Sequence, residues 1–158
     1  MTKDKPAVND LWDAVVQGYA RIDEGDFRVS DVGRKSGRFI QLLPRYVHNE
    51  KGAIHYEWSL RKDGKVEVAL HFEFPTQALA DRYVALLEPH RKAIAKGLRY
   101  PLDIGSHAAK ASQVAFALPF DADEPAASAP EALRVMGLLI SRTWPLLEPM
   151  LPRDQSAV

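Results

Sequence analysis

Residues 54–74 read Ile54-His55-Tyr56-Glu57-Trp58-Ser59-Leu60-Arg61-Lys62-Asp63-Gly64-Lys65-Val66-Glu67-Val68-Ala69-Leu70-His71-Phe72-Glu73-Phe74, two alternating runs split by a turn. Large apolar residues recur at every second position, the period of a strand with one face buried. Between the runs, Lys62, Asp63 and Gly64 suit a three-residue hairpin loop, a type I turn completed by a glycine in the left-handed region. That loop sets a register in which Leu60 faces Val66, Trp58 faces Val68, Tyr56 faces Leu70 and Ile54 faces Phe72, so the large apolar side chains share one face. The other face then carries Ser59 opposite Glu67, Glu57 opposite Ala69 and His55 opposite His71, with Glu73 at the end.

Outward from the hairpin, Pro75 stops the second strand and Thr76 caps a helix with apolar positions Leu79, Tyr83, Leu87, His90 and Ile94, ending at Gly97 and kinked or split by Pro89. Segments 98–104 and 113–120 read as strands joined by a connector over 105–112, the first interrupted by Pro101. Residues 121–129 form a linker rich in Pro, Ala and acidic residues. Ser128 and Glu131 have capping-box spacing for a last helix striped by Leu133, Met136, Ile140, Trp144 and Leu147. Upstream, Asn9 caps a helix to about Asp23 with Leu11, Val15, Tyr19 and Ile22 on one face and Gly25 closing its end. Strands follow over 27–32 and 38–43 with a turn at Gly33–Gly37 between them, and Pro44 leads into a loop to Gly52. Trp12, Trp58 and Trp144 lie on or beside the apolar stripes and read as core.

This order predicts an α+β fold, an antiparallel sheet of five to six strands with helices packed on one face, because strands joined by short turns run antiparallel. One domain spans 9–151, with 1–8 a disordered tail and 152–158 a second tail. A chain of 158 residues, 46% hydrophobic and 27% charged, can bury its own core. Its 21 basic and 21 acidic residues balance, so no global field draws it onto nucleic acid or an anionic membrane. With no cysteine, disulfides, Cys-containing zinc sites and thiol nucleophiles are excluded. No signal sequence and no long apolar run is present, so the expectation is a cytoplasmic protein.

Two constellations carry chemistry. His55, His71, Glu57 and Glu73 share a sheet face, and imidazoles beside carboxylates are the usual ligands of zinc or manganese and the usual general acids and bases. The alternative is that this face is the solvated side of the sheet, where cross-strand polar pairs are ordinary. Gly33 to Arg38 reads Gly-Arg-Lys-Ser-Gly-Arg; Arg34, Lys35 and Arg38, with Arg45, could bind an anion, a nucleic acid or an acidic partner. It is not a nucleotide phosphate loop, which needs Gly, four residues, then Gly-Lys-Ser or Gly-Lys-Thr. The acid-spacer-lysine pattern of a magnesium nuclease is absent, since Glu57, Glu67 and Glu73 are followed two residues on by Ser59, Ala69 and Pro75. No catalytic motif and no cofactor is implied.

Val66-Glu67-Val68-Ala69-Leu70-His71-Phe72-Glu73 and the helix after it, within Ile54 to Gly97, resemble a bacterial domain family of unknown function found with restriction-type systems. In element order the whole chain is similar to type III secretion chaperones, with an additional strand and a kinked middle helix. That resemblance implies a homodimer that holds a partner polypeptide. The expected function is therefore a noncatalytic protein-interaction or chaperone-like accessory module in a bacterial cytoplasm. The alternatives are a metal-dependent enzyme or nuclease-associated domain using His55 and His71, and nucleic-acid or anion binding through residues 33–38.

Overall fold

The central hairpin forms in the predicted register, with all seven pairs from Ile54 opposite Phe72 to Leu60 opposite Val66. Gly64 sits at φ 80°, in the left-handed region that the turn requires of it. Arg61 and Lys65 close the loop through a backbone hydrogen bond of 2.8 Å. A computed structural model describes residues 4–21, 25–30, 38–47, 49, 52–108 and 111–152.

The elements are α1 (Asp4–Ala20), β1 (Phe27–Ser30), β2 (Phe39–Pro44), β3 (Ile54–Leu60), β4 (Val66–Glu73), α2 (Gln77–Leu87), α3 (Arg91–Ala95), β5 (Leu102–Ala108), β6 (Ala111–Leu118) and α4 (Ala129–Leu147), with short 3-10 turns at 88–90, 125–128 and 148–150. The six strands form one antiparallel sheet in the order β1-β2-β3-β4-β6-β5. This is an α+β fold. The helices lie on the apolar face. Trp58 Nε1 donates to the Ala132 carbonyl of α4 at 3.0 Å, Tyr56 meets Thr143 of α4, and Phe72 stacks on Tyr83 of α2. Trp12 and Trp58 are fully buried and Trp144 nearly so, as their stripes predict. No helix among the described residues is long and apolar enough to cross a membrane.

Several boundaries differ from the sequence reading. α1 begins at Asp4 rather than after Asn9, so residues 4–8 belong to a helix and not to a tail; Pro6 is tolerated because first-turn amides have no intrahelical partner. That helix ends at Ala20, so Gly25, at φ 94°, lies in the turn into β1. β5 starts after Pro101 and continues through Gly105 to Ala108, where a connector was expected, because Gly105 pairs with Gln113 and the ladder carries on past it, with a register shift between Ser106 and Ala108. The long middle helix splits at Pro89 into α2, a 3-10 turn and α3, as a missing amide donor dictates. His90 then stands exposed rather than on the buried stripe.

In α4 the buried stripe runs through Ala132, Val135, Met136, Leu139, Thr143 and Leu147, rotated from the expected one so that Leu133 and Ile140 are only half-buried. The capping box is not made; Glu131 instead pairs with Arg134 and accepts from Tyr100. Leu151 is buried in the core. Residues 31–37, which hold the end of the predicted first strand and the predicted turn at Gly33–Gly37, the end of the predicted α1 at 22–23 and residues 153–158 lie outside the described residues.

Candidate functional site

Sheet pairing sets the candidate site among five strands. In one row across the polar face stand Gln41 (β2), Glu57 (β3), Ala69 (β4), Ala115 (β6) and Asp103 (β5). In the next row stand His55, His71, Gln113 and Gly105. Glu73 follows His71 by two residues and so returns to the same face.

This face is not the solvated side of the sheet. His55 is 1% exposed, His71 3%, Glu67 7% and Glu57 8%, whereas the Glu73 side chain is half-exposed. Buried carboxylates and imidazoles are costly unless paired, and here they pair with one another. His55 Nε2 lies 3.5 Å from Glu57 Oε1 and 3.8 Å from Glu73 Oε1. His71 Nδ1 lies 3.6 Å from Glu57 Oε2 and 3.5 Å from Glu73 Oε1, and its Nε2 lies 3.8 Å from Glu67 Oε1. These separations are longer than the usual N–H···O hydrogen bond of about 2.9 Å.

Two contacts settle which His55 nitrogen carries the proton. Nδ1 is 2.9 Å from the Gly52 carbonyl, which can only accept, so Nδ1 is the donor. The Gln41 amide nitrogen donates to Glu57 Oε1 at 3.2 Å and lies 3.3 Å from His55 Nε2. The same NH₂ group therefore meets a lone pair on Nε2. A histidine that donates through one nitrogen to a carbonyl and offers the other to its neighbours has the usual arrangement of a metal ligand. At His71, burial opposes the charged form, but the carboxylates of Glu67, Glu73 and Glu57 outweigh it and push the imidazole up to about 10.

One donor atom from each of His55, His71 and Glu73 lies within 4.8 Å of the others, and the two Glu57 oxygens reach both histidines. Around zinc at 2.0–2.1 Å, tetrahedral ligands stand about 3.4 Å apart. The histidine–carboxylate contacts of 3.5–3.8 Å lie a few tenths of an ångström above that, and the mutually close group is His55, His71 and Glu73, with Glu57 beside it. Behind these side chains stand Gly52 O on His55, Glu67 on His71 and Gln41 on Glu57. Gln113, paired with His71 across β4 and β6, is 4% exposed; its amide donates to Asp103 at 2.9 Å while its carbonyl oxygen has no hydrogen-bond partner among the described residues.

All four residues singled out from the sequence, His55, Glu57, His71 and Glu73, are thus brought together. Sequence reasoning missed Gln41 and Gln113, whose places depend on strand neighbours that periodicity does not reveal. It had Glu67 on the right face without a role. The basic group is not assembled in the same way. Arg34 and Lys35 lie outside the described residues, and Arg38 and Arg45 stand at opposite ends of β2, roughly 23 Å apart at about 3.3 Å per residue. Arg45 is engaged in structure, its Nε donating to the Phe27 carbonyl at 3.1 Å. No family model, curated protein or solved structure matches the chain.

Proposed function

We propose that the chain is a divalent-metal-binding domain whose ion, of the zinc class, is held by His55 Nε2, His71 Nδ1 and the carboxylates of Glu57 and Glu73. The observation that carries this reading is the convergence of His55, His71 and Glu73 with donor atoms within 4.8 Å of one another, with Glu57 against both imidazoles and the His55 lone pair already presented. Two carboxylates neutralise a divalent ion, which lowers the cost of placing it in a dry site. A nitrogen and oxygen donor set favours zinc or its neighbours over magnesium, which prefers oxygen and retained water.

The reading as a protein-interaction or chaperone-like module stands second. It calls for a contiguous apolar surface, and among the described residues the exposed large apolar side chains are Tyr46 and Met150. The His and Glu cluster is the more specific feature.

Equilibrium dialysis against zinc, followed by metal analysis, tests the proposal. About one equivalent retained by the wild type and lost in both His55→Ala and His71→Ala supports it, as does a tetrahedral cobalt(II) spectrum. No retained metal, or retention equal in all three proteins, sinks it.

A further inference from the structure

Leu79, Arg82, Tyr83 and Leu86 recur along α2 at i, i+3, i+4 and i+7, and so share one face of that helix. The face is not closed over: Leu79, Tyr83 and Leu86 are half-buried and Arg82 is exposed. It borders two hollows. A cleft of about 620 Å³ is walled by Ile54, Phe74 and Leu151, and a smaller one of about 320 Å³ reaches Leu86 and Met150. Leu79 and Tyr83 belong to both, so the two adjoin. Small-molecule sites span roughly 300–1,000 Å³ and are mostly apolar with a few placed polar groups. Tyr83 stiffens the wall, lying nearly parallel to Phe72 and Phe74 with ring centroids 5.4 and 5.2 Å away.

Arg82 is the one charged residue of the five lining the smaller hollow. It lines that hollow by its side chain, because the backbone inside a helix is wrapped by its own turns. Its guanidinium is also free: among the described residues no hydrogen bond or ion pair engages it. The flanking carboxylates of the chain are held by other groups. Asp81 accepts from Gln77 Nε2 at 2.8 Å and from Ser112 Oγ at 3.0 Å, and Glu88 pairs with Arg91 at 2.9 Å. The Glu73 carboxylate is turned away, to His55 and His71. An apolar trough beside an unneutralised guanidinium is complementary to an anionic amphiphile. The planar fork takes a carboxylate through two parallel N–H···O bonds, and the walls take the tail.

From this geometry we infer that the trough beside α2 binds an aliphatic monocarboxylate, with its head on Arg82 and its chain lying over Leu79 and Tyr83 into the larger cleft. The site shares no side-chain ligand with the metal reading and stands without it.

The test is calorimetric titration of the chain, in metal-free buffer, with octanoate, hexanoate, 1-octanol and octylamine. Octanoate is expected to bind roughly tenfold or more tighter than 1-octanol, the worth of a charge-assisted bond, and roughly threefold or more tighter than hexanoate, from its longer tail. Arg82→Gln removes the preference over the alcohol, whereas Arg28→Gln, which alters an exposed arginine on β1, leaves it intact. Leu79→Ser weakens octanoate and 1-octanol alike. Equal affinity for octanoate and 1-octanol, equal affinity for octanoate and hexanoate, tighter binding of octylamine, or unchanged octanoate affinity in Arg82→Gln overturns the proposal. So does failure of octanoate to bind, and self-association of the chain lost in Leu86→Ser would then give this face to a second copy. Zinc retention without octanoate binding rejects this inference alone, and octanoate binding without zinc retention rejects only the metal reading.

Discussion

His55 and His71 oppose each other across β3 and β4 with ring centroids 5.2 Å apart and planes at 75°. The pair is flanked by Glu57, which reaches both imidazoles through different oxygens. Two histidines in direct register bring carboxylates within reach of both, because Glu57 and Glu73 are the same-face neighbours of His55 and His71 along their own strands. The hairpin turn therefore governs the chemistry of the site as well as its fold.

Metal loading should stabilise the fold. Zinc at 100 times its dissociation constant contributes about 2.7 kcal/mol, which for a chain of this size raises the melting temperature by roughly 5–10 °C. Differential scanning calorimetry with zinc and with chelator reads the shift. His71→Ala is expected to show none, whatever its own melting temperature.

The Tyr56–Thr143 bond should be asymmetric under mutation. Thr143 Oγ1 donates to the Leu139 carbonyl at 2.6 Å, which leaves Tyr56 as the donor in its 2.7 Å contact with Thr143. Thr143→Val strands the fully buried phenol at a cost of about 1–3 kcal/mol, whereas Tyr56→Phe leaves Thr143 bonded to Leu139 and costs about 1 kcal/mol. Urea denaturation ranks the two, and equal losses would contradict the assigned donor direction. Burial also holds the Tyr56 phenol above its ordinary range. The unfolded chain therefore ionises first, and stability should fall as pH rises past about 10.

Gly18 and Leu133 should be coupled across the α1–α4 contact. A Cβ at position 18 would collide with Leu133 Cδ1, so Gly18→Ala loses at least part of the ~1 kcal/mol that alanine offers a helix. In a Leu133→Ala background the collision is gone. A double-mutant cycle is expected to show Gly18→Ala more favourable there by about 1 kcal/mol, and simple additivity would refute the contact.

Acid should expose the Glu131 pair. Arg134 first, and the Tyr100 hydroxyl second, hold the Glu131 carboxyl down at about 2, below its ordinary 4.5. A depressed carboxyl contributes stability above the unfolded value and loses it as pH falls toward the folded one. The stability gap between wild type and Glu131→Gln should therefore be full above pH 4.5 and shrink steadily toward pH 2. The pair is partly open to solvent, so the gap is small. Denaturation midpoints across that range test it.

Much of this architecture was legible in the residues themselves. The β3–β4 register followed from an alternation and a glycine turn, because a one-residue slip would turn every apolar side chain to the wrong face. The split at Pro89 followed from a missing amide donor. Local rules did less well where tertiary contacts competed with them. The Ser128 and Glu131 cap gave way to Arg134 and Tyr100, and Gly105, read as part of a connector, joined β5 because Gln113 was there to pair with it.

For the candidate site the division is just as physical. By itself the sequence determined that His55, Glu57, His71 and Glu73 share one face, since strand period and turn length are local properties of the chain. Only the tertiary structure decided that this face is buried and that Gln41 and Gln113 flank it. Burial and strand order arise from contacts between segments far apart in the chain, and no period within a single strand records them.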